Sequence, residues 1–267
     1  MRKLFYILSL TSLVIIGCKK DKDNNDNNNN GVKSPVAIQL DSFPLMVGHS
    51  WTFYTEVHLA DSTGVVYENH YYTNYWTVVS DTIINGVPAA KISQLDSNYN
   101  GTTHLGYTYY ANKPNGFFGM AVDNFGSMFY LKTISNTEVS INSYLQISKL
   151  TNVDTIFVPS SPLWFLKFPS TLNDIWHTVK YGTSGSYYQT RKYDGYQTVT
   201  TSAGTFDCLK TKIYFENNGQ ADTTSSTVYQ YFASKGLIQE TQFIHLLFSE
   251  KTTGTMSRTT KLIQVNF

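Results

Sequence analysis

The chain predicts an all-β protein of mostly antiparallel strands, in which two repeated halves of about 120 residues pack as one curved-sheet or sandwich domain. Three observations carry this. Apolar and polar residues alternate with period two along several stretches, Tyr, Phe, Thr, Val and Ile dominate, and a set of landmarks recurs in the same order further down the chain. No window of twelve or more residues keeps helical spacing with caps.

The strands come first. In HSWTFYTEVHL, residues 49–59, Trp51, Phe53, Val57 and Leu59 fall on one face and Thr52, Glu56 and His58 on the other. Asn85-Gly86 stands between two apolar stretches as a hairpin turn that requires positive φ. His58 and His70 flank another hairpin, which places them to meet across strands, and Asp123-Asn124-Phe125-Gly126 reads as a further turn. TFDCLKTKIYF, residues 205–215, is a strand containing Cys208, for which an uncharged buried thiol is expected. KLIQVNF, residues 261–267, alternates so that Ile263, Val265 and Phe267 share a face.

The repeat rests on three landmarks. Phe43-Pro44, six residues and Trp51 match Phe168-Pro169, six residues and Trp176 at an offset of 125. Gly86 corresponds loosely to Gly204, and YYANKPNGFF (109–118) matches YFASKGLI (231–238) at an offset of 122. Pro114-Asn115-Gly116 and Ser234-Lys235-Gly236 both read as turns between strands, with a Lys at the bend and a Gly able to take left-handed geometry. A period this long implies two fused halves, about 41–150 and 160–267, rather than a solenoid. Trp51 and Trp176 are then expected to begin equivalent strands with buried indoles, and Gly116 and Gly236 to close equivalent hairpins, one or both with positive φ.

The N-terminus has a different character. Arg2 and Lys3 precede a 13-residue, largely apolar run, Leu4 to Ile16. It is too short to span a bilayer and suits a signal peptide over residues 1–17. The run ends in LVIIGC, with Gly17 before Cys18, which resembles a bacterial lipobox. The resemblance implies cleavage before Cys18 and a diacylglyceryl group on its thiol, so that the first expected partner is a membrane held through that lipid. KKDKDNNDNNNNG, residues 19–31, has no apolar side chain to bury, so residues 18–34 are expected to be the acylated Cys and a disordered polar tether. Lys19 to Ser34 would reach roughly 20–25 Å as a flexible coil. A calcium loop from Asp21 fails, because its sixth and twelfth positions are Asp26 and Val32 rather than Gly and Glu.

Cleavage leaves 18 basic against 19 acidic residues, which offers nucleic acid no basic face. With Cys18 acylated, Cys208 has no partner, so residues 35–267 must fold on a hydrophobic core rather than on disulfides. AGTFDCLK at 203–210, followed by an aromatic-Ala-x-x-Gly-Leu element and preceded far upstream by Gly48-His49-Ser50-Trp51, is similar to a pattern in secreted Bacteroidota lipoproteins of unknown function. Ser202 replaces the usual Pro there, and Asn173 replaces the Gly in the second copy. The motifs of this resemblance are structural, so it transfers no activity. The Lys and Asp residues directly after Cys18 resemble the signals that send Bacteroidota lipoproteins to the outer face of the outer membrane, which implies a lipid-anchored protein facing the cell surface.

Catalytic signatures are scarce. The histidines (His49, His58, His70, His104, His177 and His245) show no metal-binding spacing, and no nucleophile elbow, SxxK or phosphate loop occurs. No cofactor is implied, and no enzyme is expected. The 19 carboxylates still leave a glycoside hydrolase pair as a remote alternative. The 20 Tyr, 16 Phe and 4 Trp are more suggestive. Tyr71, Tyr72, Tyr75, Trp76, Tyr187 and Tyr188 are candidates for stacking on sugars, against the plain alternative of cross-strand packing. Asp-Ser/Thr pairs at Ser62, Thr82, Thr155 and Thr223 resemble Bacteroidota O-glycosylation sites, although Asp-Thr also simply opens turns. The expectation is a membrane-anchored envelope lipoprotein acting as a non-catalytic binding or structural module, with glycan as a ligand class. The alternative is a half-barrel carrier of a lipid or other apolar ligand.

Overall fold

The alternating stretches become strands. The computed structural model describes residues 35–97, 103–123, 130–132, 138–140, 161–181, 187–222, 226–249 and 252–267. Along them run β1 (Ser50–Asp61), β2 (Val66–Ile84), β3 (Val87–Ser97), β4 (Thr103–Lys113), β5 (Gly116–Asp123), β6 (Tyr130–Lys132), β7 (Glu138–Ser140) and β8 (Leu163–Lys167). They are followed by β9 (Ile175–Tyr181), β10 (Tyr187–Thr201), β11 (Gly204–Asn217), β12 (Gln220–Ala221), β13 (Thr227–Ala233), β14 (Gly236–Ser249) and β15 (Thr252–Asn266). No helix occurs among the described residues.

One antiparallel sheet runs in the order β8-β5-β4-β3-β2-β1-β15-β14-β13-β11-β10-β9, with β12 attached to β11, while β6 and β7 pair separately. The predicted class holds, but as one continuous sheet; the sandwich option is replaced by a sheet that curls toward closure. β1 pairs along its whole length with β15, the last strand. At the far ends of the sheet β8 and β9 come together outside the ladder, joined by side chains. Trp176 Nε1 donates to the Trp164 carbonyl at 2.9 Å and the Thr178 hydroxyl to the same oxygen at 3.3 Å. Tyr193 OH donates to the Lys167 carbonyl at 2.6 Å and accepts from its N–H at 2.8 Å, and Arg191 donates to the Phe165 carbonyl at 3.3 Å. The result is a nearly closed barrel whose seam is stitched by side chains rather than by backbone pairs.

The largest core cluster fills one end. Trp51, Phe53, Ile92, Trp176, Leu209, Phe232, Ile238 and Leu262 pack there, and residues 35–49 close it by inserting Leu40 and Phe43. Phe43 stacks on Phe117 at 4.4 Å, and Asn112 holds its backbone by accepting from its N–H at 3.0 Å and donating to its carbonyl at 2.7 Å.

The turns meet expectation in part. Asn85 and Gly86 both have positive φ, 50° and 76°, as a two-residue hairpin requires. Gly236 has φ 94°, and an added Cβ would stand 2.9 Å from the Phe43 ring and 3.2 Å from Trp51 Nε1. Gly236 thus meets the expectation of positive φ at one or both glycines, and Gly116 is required for another reason. A Cβ there would lie 2.2 Å from both the Leu166 carbonyl oxygen and Trp164 Nε1, so the glycine permits β8 to approach β5.

His58 and His70 do not meet. Their ladder partners are Asn69 and Val57, so His58 faces outward and His70 faces inward, buried. In β15 a bulge opposite Thr52 and Phe53 leaves Ile263 without a partner, so Leu262 faces the core with Val265 and the unbroken alternation fails. Asn124 to Gly126 of the predicted turn after β5 lie outside the described residues.

Candidate functional site

Each inward row of the barrel is interrupted by polar residues in step with the apolar ones. Thr55 lies between Phe53 and Val57 on the inner face of β1 and is fully buried. Gln94 on β3, Thr108 on β4, Arg191 on β10, Thr211 on β11, Gln230 on β13 and Glu240 on β14 are buried at comparable heights. Together they form a belt between the main core cluster and the smaller one of Val57, Leu59 and Met256.

The belt is tied together by hydrogen bonds. Arg191 donates to Gln230 Oε1 at 2.9 Å, Gln230 Nε2 donates to Glu240 Oε2 at 2.7 Å, and Arg258 meets Glu240 Oε1 at 2.5 Å. Arg191 Nε also donates to Thr178 at 3.0 Å, and its guanidinium lies 4.8 Å from the centre of the Phe165 ring. On the β1–β2 side the Thr55 hydroxyl donates to Asn74 Oδ1 at 2.8 Å and Asn74 Nδ2 donates to Asp96 at 2.5 Å. Burial raises the pKa of the Tyr72 hydroxyl, which Arg258 hydrogen-bonds, and that of Tyr110 beside Gln94. In these pairs the carboxylates of Glu240 and Asp96 each accept from donors on neighbouring strands.

Adjacent strand residues face opposite ways, and this divides the predicted stacking set. Tyr71 and Tyr75 are on the outer face of β2, 47% and 45% exposed, with Tyr67 likewise exposed on the same row. Tyr72 and Trp76 face inward; Tyr72 packs against the smaller core cluster, and Trp76 meets Phe53 edge-on at 5.0 Å. The six residues therefore do not form one platform. On the outer face of β1, Tyr54 stacks on Tyr71 at 6.4 Å and 10°, and His58 bonds Asn69 and meets Tyr71 edge-on. Tyr188 stacks with His177 at 4.3 Å on another part of the surface; the side chain of Tyr187 lies outside the described residues.

Sequence reasoning missed a second polar group there. The His177 ring bonds Thr190 Oγ1 at 3.0 Å through Nδ1, and the Thr190 hydroxyl donates to Glu216 Oε2 at 2.8 Å. Tyr214 OH donates to the other Glu216 oxygen at 3.1 Å, and burial pushes its pKa up to about 12. Among the described residues no three His, Cys, Asp or Glu side chains converge as a metal set.

Of the modification candidates, Ser62 is exposed in the β1–β2 turn and Thr82 is half-buried in β2. The turn at Ser62 is built by Asp61, whose Oδ1 accepts from the Thr63 hydroxyl, Thr63 N and Val65 N, and these bonds lower its pKa. Cys18, Thr155 and Thr223 lie outside the described residues. Cys208 is fully buried, and burial pushes its thiol up to about 12. Thiol reagents at mildly alkaline pH are therefore expected to leave the native protein unmodified and to label it once denatured, as read by mass spectrometry.

No family model and no curated protein matches the chain. Among solved structures it is similar to a chain assigned as a lipoprotein from Parabacteroides distasonis ATCC 8503, at 17% identity, covering 84% of this chain and 97% of that one, with a TM-score of 0.38. It is also similar to an assigned exported protein with a YmcC-like fold from Bacteroides fragilis NCTC 9343, at 11% identity, 84% and 98% coverage and a TM-score of 0.39.

Proposed function

We propose that this protein is a membrane-anchored envelope module, non-catalytic, that binds glycan on the outer face of its barrel. The observation that carries this is the row on β1 and β2: Tyr71 and Tyr75 exposed on one face, Tyr54 stacked on Tyr71, and the His58–Asn69 pair beside them. Tyr71 and Tyr75 stand about 13 Å apart along the strand, a spacing at which two rings can address one extended ligand. Aromatic faces beside amide and imidazole donors suit sugar rings, whose C–H faces stack while their hydroxyls take hydrogen bonds.

The interior favours this over the apolar carrier. An acyl chain threading the barrel would have to cross the Arg191–Gln230–Glu240–Arg258 row and separate charged groups in a dry layer. It also weighs against a glycosidase, since Glu240 is held by an arginine and a glutamine rather than opposed to a second free carboxylate.

The same reading takes the two halves as copies of one unit. Trp51 and Trp176 are each the second residue of a strand, both are buried, and the turns before them contain residues at matching positions with positive φ, Gly48 (93°) and Asn173 (67°). Counted from the strand that carries each Trp, β1 and β9, the hairpins at 113–116 and 233–236 likewise join the fourth and fifth strands if β12 is set aside.

Two outcomes test the function. Changing Tyr71 and Tyr75 together to Ala should weaken binding to glycan-array hits by tenfold or more while the unfolding midpoint stays within experimental error, because both rings are exposed. Wild-type protein that binds no glycan, or a double variant that binds as well, would sink the glycan assignment. Changing Cys18 to Ala should move the protein from the membrane fraction to the soluble one, or leave its signal uncleaved. Unaltered membrane attachment and mobility would end the lipid-anchor reading.

A further inference from the structure

Four exposed apolar side chains lie toward one end of the barrel: Met46 and Val47 in the turn before β1, Ile83 beside the β2–β3 turn, and Phe267 just after β15. Met46 is 68% exposed and Ile83 is 70% exposed. The antiparallel register puts these positions at a common end, since Ser50 of β1 is paired with both Asn266 of β15 and Thr77 of β2. The Phe267 ring stacks on His49 at 4.1 Å, with the Lys235 ammonium 4.6 Å from its centre.

The chain coming from Cys18 joins the barrel at this same end. Leu40 N donates to Ser170 at 3.2 Å in the loop before β9, and Phe43 is clamped by Asn112 near the end of β4. The opposite end offers Val65 and Val66, but beside the carboxylate of Asp61, which organises that turn.

We propose that the apolar end is a docking surface for the lipid bilayer, with Met46, Val47 and Ile83 as its leading contacts. This rests on the anchor reading above. Residues 19–34 are 16 residues of polar sequence, which can reach roughly 20–25 Å as a coil, so an anchored barrel keeps this end within reach of the membrane. At the high effective concentration such a linker imposes, a surface of weak intrinsic affinity is occupied most of the time. Side chains on separate turns can enter the headgroup boundary without any strand unpairing. Docked this way, the barrel stands on its plugged end and leaves the outer faces of β1 and β2 open to the medium.

The test uses the acylated mature chain with a polarity-sensitive fluorophore on Val47→Cys or, separately, on Val65→Cys. Buried Cys208 does not compete for the label. The protein is mixed with phosphatidylethanolamine–phosphatidylglycerol vesicles and floated. The expected result is a blue-shifted emission at position 47, quenched by lipid-borne quenchers, with the label at position 65 remaining aqueous. If the protein floats but both labels stay aqueous, docking is refuted and the anchor stands. A label at 65 that enters lipid while 47 stays aqueous overturns the proposed orientation. If the acylated chain does not float, the anchor reading falls, and the docking surface falls with it for want of bilayer affinity.

Discussion

Arg191→Ala is expected to lower the unfolding free energy by about 3–5 kcal/mol, read as a lower denaturant midpoint at constant slope. The side chain is fully buried and joins four elements: Thr178 on β9, the Phe165 carbonyl and ring on β8, and Gln230 on β13, all from its own position on β10. Truncation would leave the Gln230 and Phe165 oxygens without this donor in a dry layer, at about 1–3 kcal/mol for each buried group. It would also open a cavity of nearly the whole side chain. A change of less than 1 kcal/mol in the single variant would mean that the belt does not hold the seam together.

Trp51→Ala should cost a similar amount, about 3–5 kcal/mol. The indole is 1% exposed, packs 5.7 Å from Phe43 in the plug and 5.4 Å from Phe267, and donates to the Lys235 carbonyl at 2.6 Å. It therefore joins the start of β1 to the β13–β14 turn and to the plug segment. Trp51→Phe keeps most of the apolar contact and loses the hydrogen bond, so it should cost only about 1–2 kcal/mol. Equal losses in the two variants would show that the hydrogen bond, rather than the packing, carries the effect.

The strands were legible because burial on one side imposes period two, and β1 follows that rule from Ser50 to Leu59. What alternation cannot convey is which polar residues share the inner face. Thr55 is in step with Trp51, Phe53, Val57 and Leu59, and that phase was the available sign of a buried polar belt. Arg191 and Glu240 gave no such sign, because their strands also contain bulges, at Asp194 in β10 and at Ile238 in β14, that shift the register. The same blindness to phase put Tyr71 with Tyr72 and Tyr75 with Trp76, although neighbouring strand residues must point apart. The closing seam was out of reach for a different reason: it depends on side-chain bonds between strands that are ladder ends, and no local pattern encodes them. The repeated Phe-Pro…Trp and Tyr-aromatic-Ala elements were readable because they are turn and core chemistry, local in sequence.

The central claim is that ligand binds outside the barrel rather than within it. Hydroxyl-radical footprinting of the protein with and without a glycan-array hit tests this most directly. Protection is expected at Tyr71 and Tyr75, with the inward residues of β14 and β15, Gln242 and Met256 among them, unchanged. Equal oxidation of Tyr71 and Tyr75 in the free and bound protein would contradict it.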